Sequence, residues 1–467
     1  MRILEVNALF PPEWWGGAEN YVLSLSKALM KRGHSVFVIA GTKKNYTDIH
    51  EKTFDNLNIF LIPRFQEFYH YQDDRANALF TGLIDRIKPD VVHFHNFFHY
   101  LPASFINEVR RFRIPIIQHL HDYWFICPIG HLMYTEDISC SGPQDGIRCI
   151  KCPGTAFIRE RMTRRNTEEE LNSRIRNYIP AWLKSLFPCQ IKGFLKEKML
   201  SRKISEKTEN NSERSRENRF FMERNKKLAS YLSQSDRIIV PSKYIFNIYY
   251  DWLNLKGSFN ILPIGTDVVR YTADKKKSSK FRFAYVGALA PHKGVHILIN
   301  AFRKMKNMNV SLSIWGTGDI KYSRLLRKLA NSDSRISFCD VVAHSEINRA
   351  FQNIDVLIAP SVWQETFGMN IREAFASGTV VIASDIGAYS EAIRHGEDGF
   401  LFTPGDEKDL LDCMNRLAGN RDLMKSMIKR IPAVQDIKDN ALAIEKIMKQ
   451  CTAGRTASPG RRPVSRV

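Results

Sequence analysis

Apolar residues in this chain follow two rhythms. Compact blocks such as Val356-Leu357-Ile358-Ala359 have the length and composition of strands buried on both faces. Elsewhere apolar positions recur every three or four residues, as at Val22, Leu25, Ala28 and Leu29, the stripe of a helix packed on one side. The pattern predicts strands near 2–6, 35–40, 58–62, 90–94, 115–120 and 237–240. A second run follows near 282–287, 310–315, 335–338, 355–359, 379–383 and 400–402. Strands alternating with helices imply parallel, doubly wound sheets with right-handed crossovers. The reading is two Rossmann-like α/β domains, 1–262 and 263–435, joined near Pro263-Ile264-Gly265-Thr266-Asp267. A helix over 436–451 is expected to pack back on the first domain. Ligands of open α/β sheets bind beyond the C-terminal strand ends, so both domains should face one cleft.

Residues with chemistry fall at those ends. After the strand at 356–359 come Glu365 and Glu373, either side of a helix start placed near Phe367. Phe367, Gly368, Met369 and Asn370 would offer backbone N–H groups at a helix N-terminus, where an anion such as a diphosphate is stabilised. Carboxylates flanking such a site suit sugar and ribose hydroxyls, which need acceptors. The plainer readings are a capping role for Glu365 and a helix-dipole role for Glu373. Gly16-Gly17 follows the first strand, at a turn where backbone can come close to a ligand. Lys293 follows Phe283-Ala284-Tyr285-Val286-Gly287 and is either a phosphate contact or a solvated charge. His121 ends an apolar strand, where an imidazole can hydrogen-bond a hydroxyl or shuttle a proton. His93 and His95 share one strand face. A metal there needs a third ligand that the sequence does not reveal, so they read as structural or as lining the acceptor site.

In order and spacing these motifs resemble the retaining glycosyltransferases of family four (group 1), which have the GT-B fold. The resemblance covers roughly 1–125 and 235–450. It implies transfer of a hexose-type sugar from a nucleotide-sugar donor to a glycan or lipid-linked acceptor, as in surface polysaccharide or glycolipid synthesis. It assigns Gly16, Gly17, Lys293 and residues 367–370 to donor binding, Glu373 to the ribose, and His121 and Glu365 to the reacting sugar. No Asp-x-Asp pair for Mg²⁺ is present, so no cofactor is expected for catalysis. Two positions depart from the pattern. Ala288 stands where Arg usually follows Gly287, and Asp340 where Gly is usual, with His292 a substitute basic group. The alternatives are a nucleotide-sugar epimerase on the same fold, a weak or inactive homologue, and a nucleic-acid-binding protein.

Composition narrows these choices. The 467 residues, 44% hydrophobic, fit a two-domain globular protein. No apolar run approaches the ~20 residues of a membrane span. The start lacks a signal-peptide pattern, since Pro11-Pro12-Glu13 interrupts it. A cytoplasmic location with reduced cysteines is expected, peripheral at the inner membrane face. The net charge of +20 calls for an anionic partner surface. No nucleic-acid motif or aromatic interleaving accompanies it, which argues against nucleic acid. Residues 151–230 hold 20 Lys and Arg against 10 Asp and Glu. This basic helical insertion (156–230) includes Trp182, Leu183, Leu186 and Phe187 beside Lys184, Lys192, Lys196 and Lys198. It suits an anionic membrane, or the cluster packs on the domain. Stretch 203–219 is polar enough to expect partial disorder, as is the basic tail 452–467. Cys127, Cys140, Cys149 and Cys152 lie in the loop 123–155. Cys149-x-x-Cys152 has half-site spacing, but the other intervals match no zinc pattern. Structural zinc, free buried thiols and a disulfide all remain open.

Overall fold

The computed structural model describes residues 1–64, 71–135, 138–143, 146–156, 158–160, 211–253, 258–268, 278–331, 333–340 and 346–456. The first sheet contains β1 (Arg2–Asn7), β2 (Ser35–Gly41), β3 (His50–Phe54), β4 (Leu57–Ile62), β5 (Val91–Phe94), β6 (Ile116–His119), β7 (Arg237–Val240) and β8 (Phe259–Ile261). Their order is β3-β4-β2-β1-β5-β6-β7-β8. Neighbours are parallel except β3 and β4, which form an antiparallel hairpin. Its two-residue turn, Asp55-Asn56, has positive φ at both positions, matching the twist of a tight hairpin.

The second sheet contains β9 (Phe281–Val286), β10 (Val310–Trp315), β11 (Ile336–Cys339), β12 (Val356–Ala359), β13 (Val380–Ser384) and β14 (Gly399–Phe402). Its order is β11-β10-β9-β12-β13-β14, parallel throughout. Each sheet reverses its winding once, between β1 and β5 and between β9 and β12. A crevice opens at such a point because successive connections leave towards opposite faces.

Buried aliphatic and aromatic side chains cover both faces of each sheet. One of these layers joins the helix Gly17–Lys31 to the terminal helix Ile437–Thr456, through Val22, Leu25 and Leu29 against Ala441, Ile444 and Met448. The Arg32–Glu445 ion pair at 2.5 Å and the bond from Tyr21 Oη to Asn440 Oδ1 at 2.8 Å fasten the same contact. The chain thus closes back on its first helix.

Two expectations of disorder need correction. Residues 211–219 belong to the helix Asn211–Leu232, and 452–456 to the terminal helix. The first helix forms despite its polar start because Phe221, Leu228, Tyr231 and Leu232 bury on the domain. The rest of the insertion, including the Trp182 cluster, and the tail beyond Thr456 lie outside the described residues. Among the described residues no helix is long and apolar enough to cross a membrane.

Candidate active site

The loops after β9 and β12 meet at the crevice of the second sheet. After β9, the turn Pro291–Lys293 ends at Gly294, whose φ is +68°. A Cβ there would collide with the Pro360 carbonyl, so glycine lets the loops touch. That contact sets Lys293 Nζ 2.6 Å from Glu365 Oε1 and 4.3 Å from the centre of the Trp363 ring. The downstream helix runs Met369–Ala376, capped by Gly368 at φ +78°. It starts two residues after the position read from sequence, because Gly368 in the left-handed region cannot continue a right-handed helix, while Phe367 enters the first domain's core layer. Glu373 falls on the second turn and is buried. Asn370 spans inward, donating from Nδ2 to the Val286 carbonyl at 3.3 Å.

The first domain faces this cradle. Gly17 opens the helix Gly17–Lys31, and a Cβ on it would lie 3.9 Å from Met369 Cγ. Further bonds cross beside the cleft. Tyr123 Oη donates to the Gln364 carbonyl at 2.7 Å, and Ser242 Oγ to the Thr366 carbonyl at 2.8 Å. Gly16, Gly17, Lys293, Glu365, Phe367–Asn370 and Glu373 are therefore gathered at the junction of the two domains.

Behind the first domain's face lies a buried polar ladder. Glu5 is in register with His93 on β5. β6 adds His119 and, just past its end, His121. His95 Nε2 lies 2.6 Å from Glu5 Oε2, and His95 Nδ1 lies 3.0 Å from His121 Nε2. With Glu5 Oε2 accepting, His95 donates from Nε2 and receives the His121 Nε2 proton at Nδ1. This leaves His121 Nδ1 as a lone-pair acceptor, and that atom has no partner among the described residues. Burial depresses His95 and His119 well below the usual histidine range, and His121 to about 3, so all three are neutral at pH 7. Tyr21 packs its ring on His95, His119 and His121. Two carboxyls border the ladder. Burial raises Glu19 to about 7 and Asp122 to about 6, and the Asp122 charge adds to the rise at Glu19.

A third ligand for the His93/His95 pair does exist, contrary to the sequence reading. His119 brings its ligand atom within 4.8 Å of theirs. Only strand order reveals this, since β6 neighbours β5. However, both His95 nitrogens are engaged by Glu5 and His121, so a metal there would have to break the ladder.

Two family models match this chain: "Glycosyltransferase Family 4" over residues 15–138 and "Glycosyl transferases group 1" over 280–420. The chain belongs to the group 1, family 4 glycosyltransferases. Similar relatives include a D-inositol 3-phosphate glycosyltransferase of Nocardia farcinica, 26% identical over 37% of this chain and 42% of the relative. A phosphatidyl-myo-inositol mannosyltransferase of Mycobacterium leprae is 33% identical over 28% of this chain and 35% of its own length. The matched segments thus span less than half the length of these two curated relatives. Among solved structures, sucrose-phosphate synthase from Thermosynechococcus elongatus has a TM-score of 0.62 at 18% identity, over 97% of this chain and 99% of that one. Anabaena HepE, solved with UDP and glucose, has a TM-score of 0.60 at 15% identity, covering 96% and 99%. These likenesses show the GT-B fold.

The two departures from the family 4 pattern are both solvent-facing. Ala288 is exposed, and its carbonyl receives the Tyr285 hydroxyl at 2.7 Å. Asp340 is exposed beyond β11, the edge strand farthest from β12 in its half of the sheet. His292 stacks on His131 across the domains, and burial and the neighbouring Lys293 charge push it down to about 3. It therefore carries no charge with which to replace an arginine. All four loop cysteines are free, so the disulfide reading is withdrawn. Cys127, Cys149 and Cys152 are buried and Cys140 is half-buried. The sequence also missed Glu5 and His119, buried behind the cleft face, and Glu19 beside them. The available signal was the repeated polar-x-polar step in apolar strands: Glu5-x-Asn7, His93-x-His95 and His119-x-His121.

Proposed function

We propose that this protein transfers a hexose-type sugar, with retention of configuration, from a nucleotide-sugar donor to a glycan or lipid-linked acceptor. The supporting observation is the Lys293–Glu365 pair, set where the loops after β9 and β12 meet, with Gly17 facing Met369 across the cleft. A donor diphosphate would take Lys293 and the backbone amides at the start of the Met369–Ala376 helix as its positive groups. Glu373 would accept the ribose hydroxyls. Glu365, held by Lys293 until the phosphate arrives, would orient the donor sugar and favour positive charge at its anomeric carbon. His121 would accept a sugar hydroxyl at Nδ1, in an orientation fixed by Glu5 through His95. The leaving phosphate takes the acceptor proton in a front-face displacement, so no covalent sugar–enzyme intermediate forms.

HepE was solved with UDP and glucose, so UDP-hexoses head the donor panel, followed by GDP- and ADP-hexoses. The inositol-lipid relative supports a lipid-linked acceptor, and the +20 charge supports work at an anionic membrane surface on the cytoplasmic side. The test is a thermal-shift screen of these donors, then NMR of the product with the donor that binds. Binding and an unchanged anomeric configuration are expected. An inverted product contradicts retention. Release of free epimerised sugar without transfer favours the epimerase reading.

A further inference from the structure

The Cys-rich loop is not used by the proposed reaction, yet the structure gathers its thiols. The backbone of Cys140 donates to the Leu132 carbonyl at 2.7 Å, closing a hairpin that also pairs Met133 with Ser139. Cys152 Sγ lies 3.9 Å from the Met133 and Tyr134 carbonyls on the same hairpin. The backbone amides of Ile129, His131 and Leu132 point at the Cys127 sulfur, and those of Gly154 and Thr155 at the Cys152 sulfur. Cys149 belongs to a small buried cluster against which Ile129 packs, and a Cβ on Gly154 would lie 2.6 Å from Ile129 Cδ1 and 3.6 Å from Cys152 Sγ, so the Cys149-x-x-Cys152 turn sits against the turn that carries Cys127.

A second observation is independent of the cysteines. Arg224, on the helix Asn211–Leu232, is 2% exposed. Among the described residues it forms no ion pair with a carboxylate. Its guanidinium donates to the Trp124 carbonyl at 2.5 Å and to Asn225 Oδ1 at 3.2 Å, and lies over the Trp124 ring. A buried cation with neutral partners is costly unless an anion lies nearby. Trp124, which the guanidinium both bonds and covers, lies three residues before Cys127, so this cation without a carboxylate partner is set beside the Cys-rich loop. A second cation, Arg159, donates to the carbonyls of Cys149, Ile150 and Cys152.

We propose that Cys127, Cys140, Cys149 and Cys152 bind a structural zinc ion as a tetrahedral tetrathiolate, with Arg224 and Arg159 balancing its charge. Four thiolates and Zn²⁺ carry two net negative charges, and the two guanidinium groups supply two positive ones. Each thiol releases its proton to solvent as its S–Zn bond forms. A tetrathiolate sets sulfurs about 3.8 Å apart. The thiols do not hold that spacing in this structure, so the site would close as the ion binds. The site would fix the loop that carries Tyr123 and His131 to the second domain and braces the strand end bearing His121.

The full chain, purified without chelator or polyhistidine tag under reducing conditions, should contain about one equivalent of zinc. Replacement by Co²⁺ should give intense thiolate-to-cobalt charge-transfer bands and the d–d bands of a tetrahedral site. Cys149→Ser/Cys152→Ser should lose both metal and bands. Zinc below about 0.2 equivalents overturns the proposal. So does cobalt bound without thiolate bands, which would move the metal to the His93/His95/His119 group. Because the spectrum is read on the unmodified protein, a variant that fails to fold leaves the test intact, and no readout depends on transfer activity.

Discussion

The two walls of the cleft handle charge differently. On the second domain's wall, Lys293 and Glu365 hold opposite charges 2.6 Å apart beside a helix N-terminus. On the first domain's wall, charge is withheld. His95, His119 and His121 are kept neutral by burial, and Glu19 and Asp122 are lifted towards neutrality. A charged wall suits a diphosphate leaving group. Neutral imidazoles held in fixed orientations suit hydroxyls, which they can bind without drawing a counter-ion into the site. In the proposed reaction the leaving phosphate would be met by the second domain's wall, and the transferred sugar's hydroxyl by His121 on the first.

Removing the charged wall should have the largest effect. Lys293→Ala is expected to lower kcat/KM by roughly 10²–10³, since it deletes a preorganised positive group at the leaving phosphate. Steady-state kinetics with the best donor measures this, and a loss under tenfold would transfer the phosphate role elsewhere. Glu373→Ala comes next. Loss of a charged hydrogen-bond acceptor for the ribose should weaken donor affinity by about 10- to 100-fold, with activity falling in parallel. An unchanged donor titration would leave Glu373 as a helix-dipole partner only. Glu365→Gln should mainly reduce turnover.

The neutral wall is tested by pH. Burial raises the Glu19 carboxyl from 4.5 to about 7. Between those values the folded protein holds a proton that the unfolded chain has released, so stability falls as pH rises, and the full penalty is present above 7. Glu19→Gln should therefore stabilise the protein at pH 8 by on the order of 3 kcal/mol and leave it unchanged near pH 4. Urea unfolding at both pH values decides this, and equal shifts would show that Glu19 is not desolvated. The smallest expected effect is that of chelation. Brief EDTA treatment should leave transfer intact, because neither wall uses a metal in the proposed reaction. Immediate loss restored by Mg²⁺ would contradict that.

The walls also differ in how far the sequence revealed them. The second is legible because Glu365 to Glu373 is one continuous stretch after an apolar strand. The first is built from β1, β5 and β6, which are far apart in the chain. His119 reads as an isolated mid-strand histidine until β6 is known to lie beside β5. β3 was missed because His50-Glu51-Lys52-Thr53-Phe54 is mostly polar and sits at the sheet edge, half in solvent. β8 is only three residues long. Residues 211–219 looked too polar to order because the residues that anchor their helix, Phe221, Arg224 and Leu228 among them, lie further along it.

The division of labour is tested most directly by measuring nucleotide-sugar affinity calorimetrically in two variants, Lys293→Ala and His121→Ala. The expected result is a loss of about tenfold or more for Lys293→Ala, with His121→Ala binding the donor within about threefold of the unmodified protein while losing turnover. The reverse, with His121→Ala losing donor affinity and Lys293→Ala retaining it, would contradict the account.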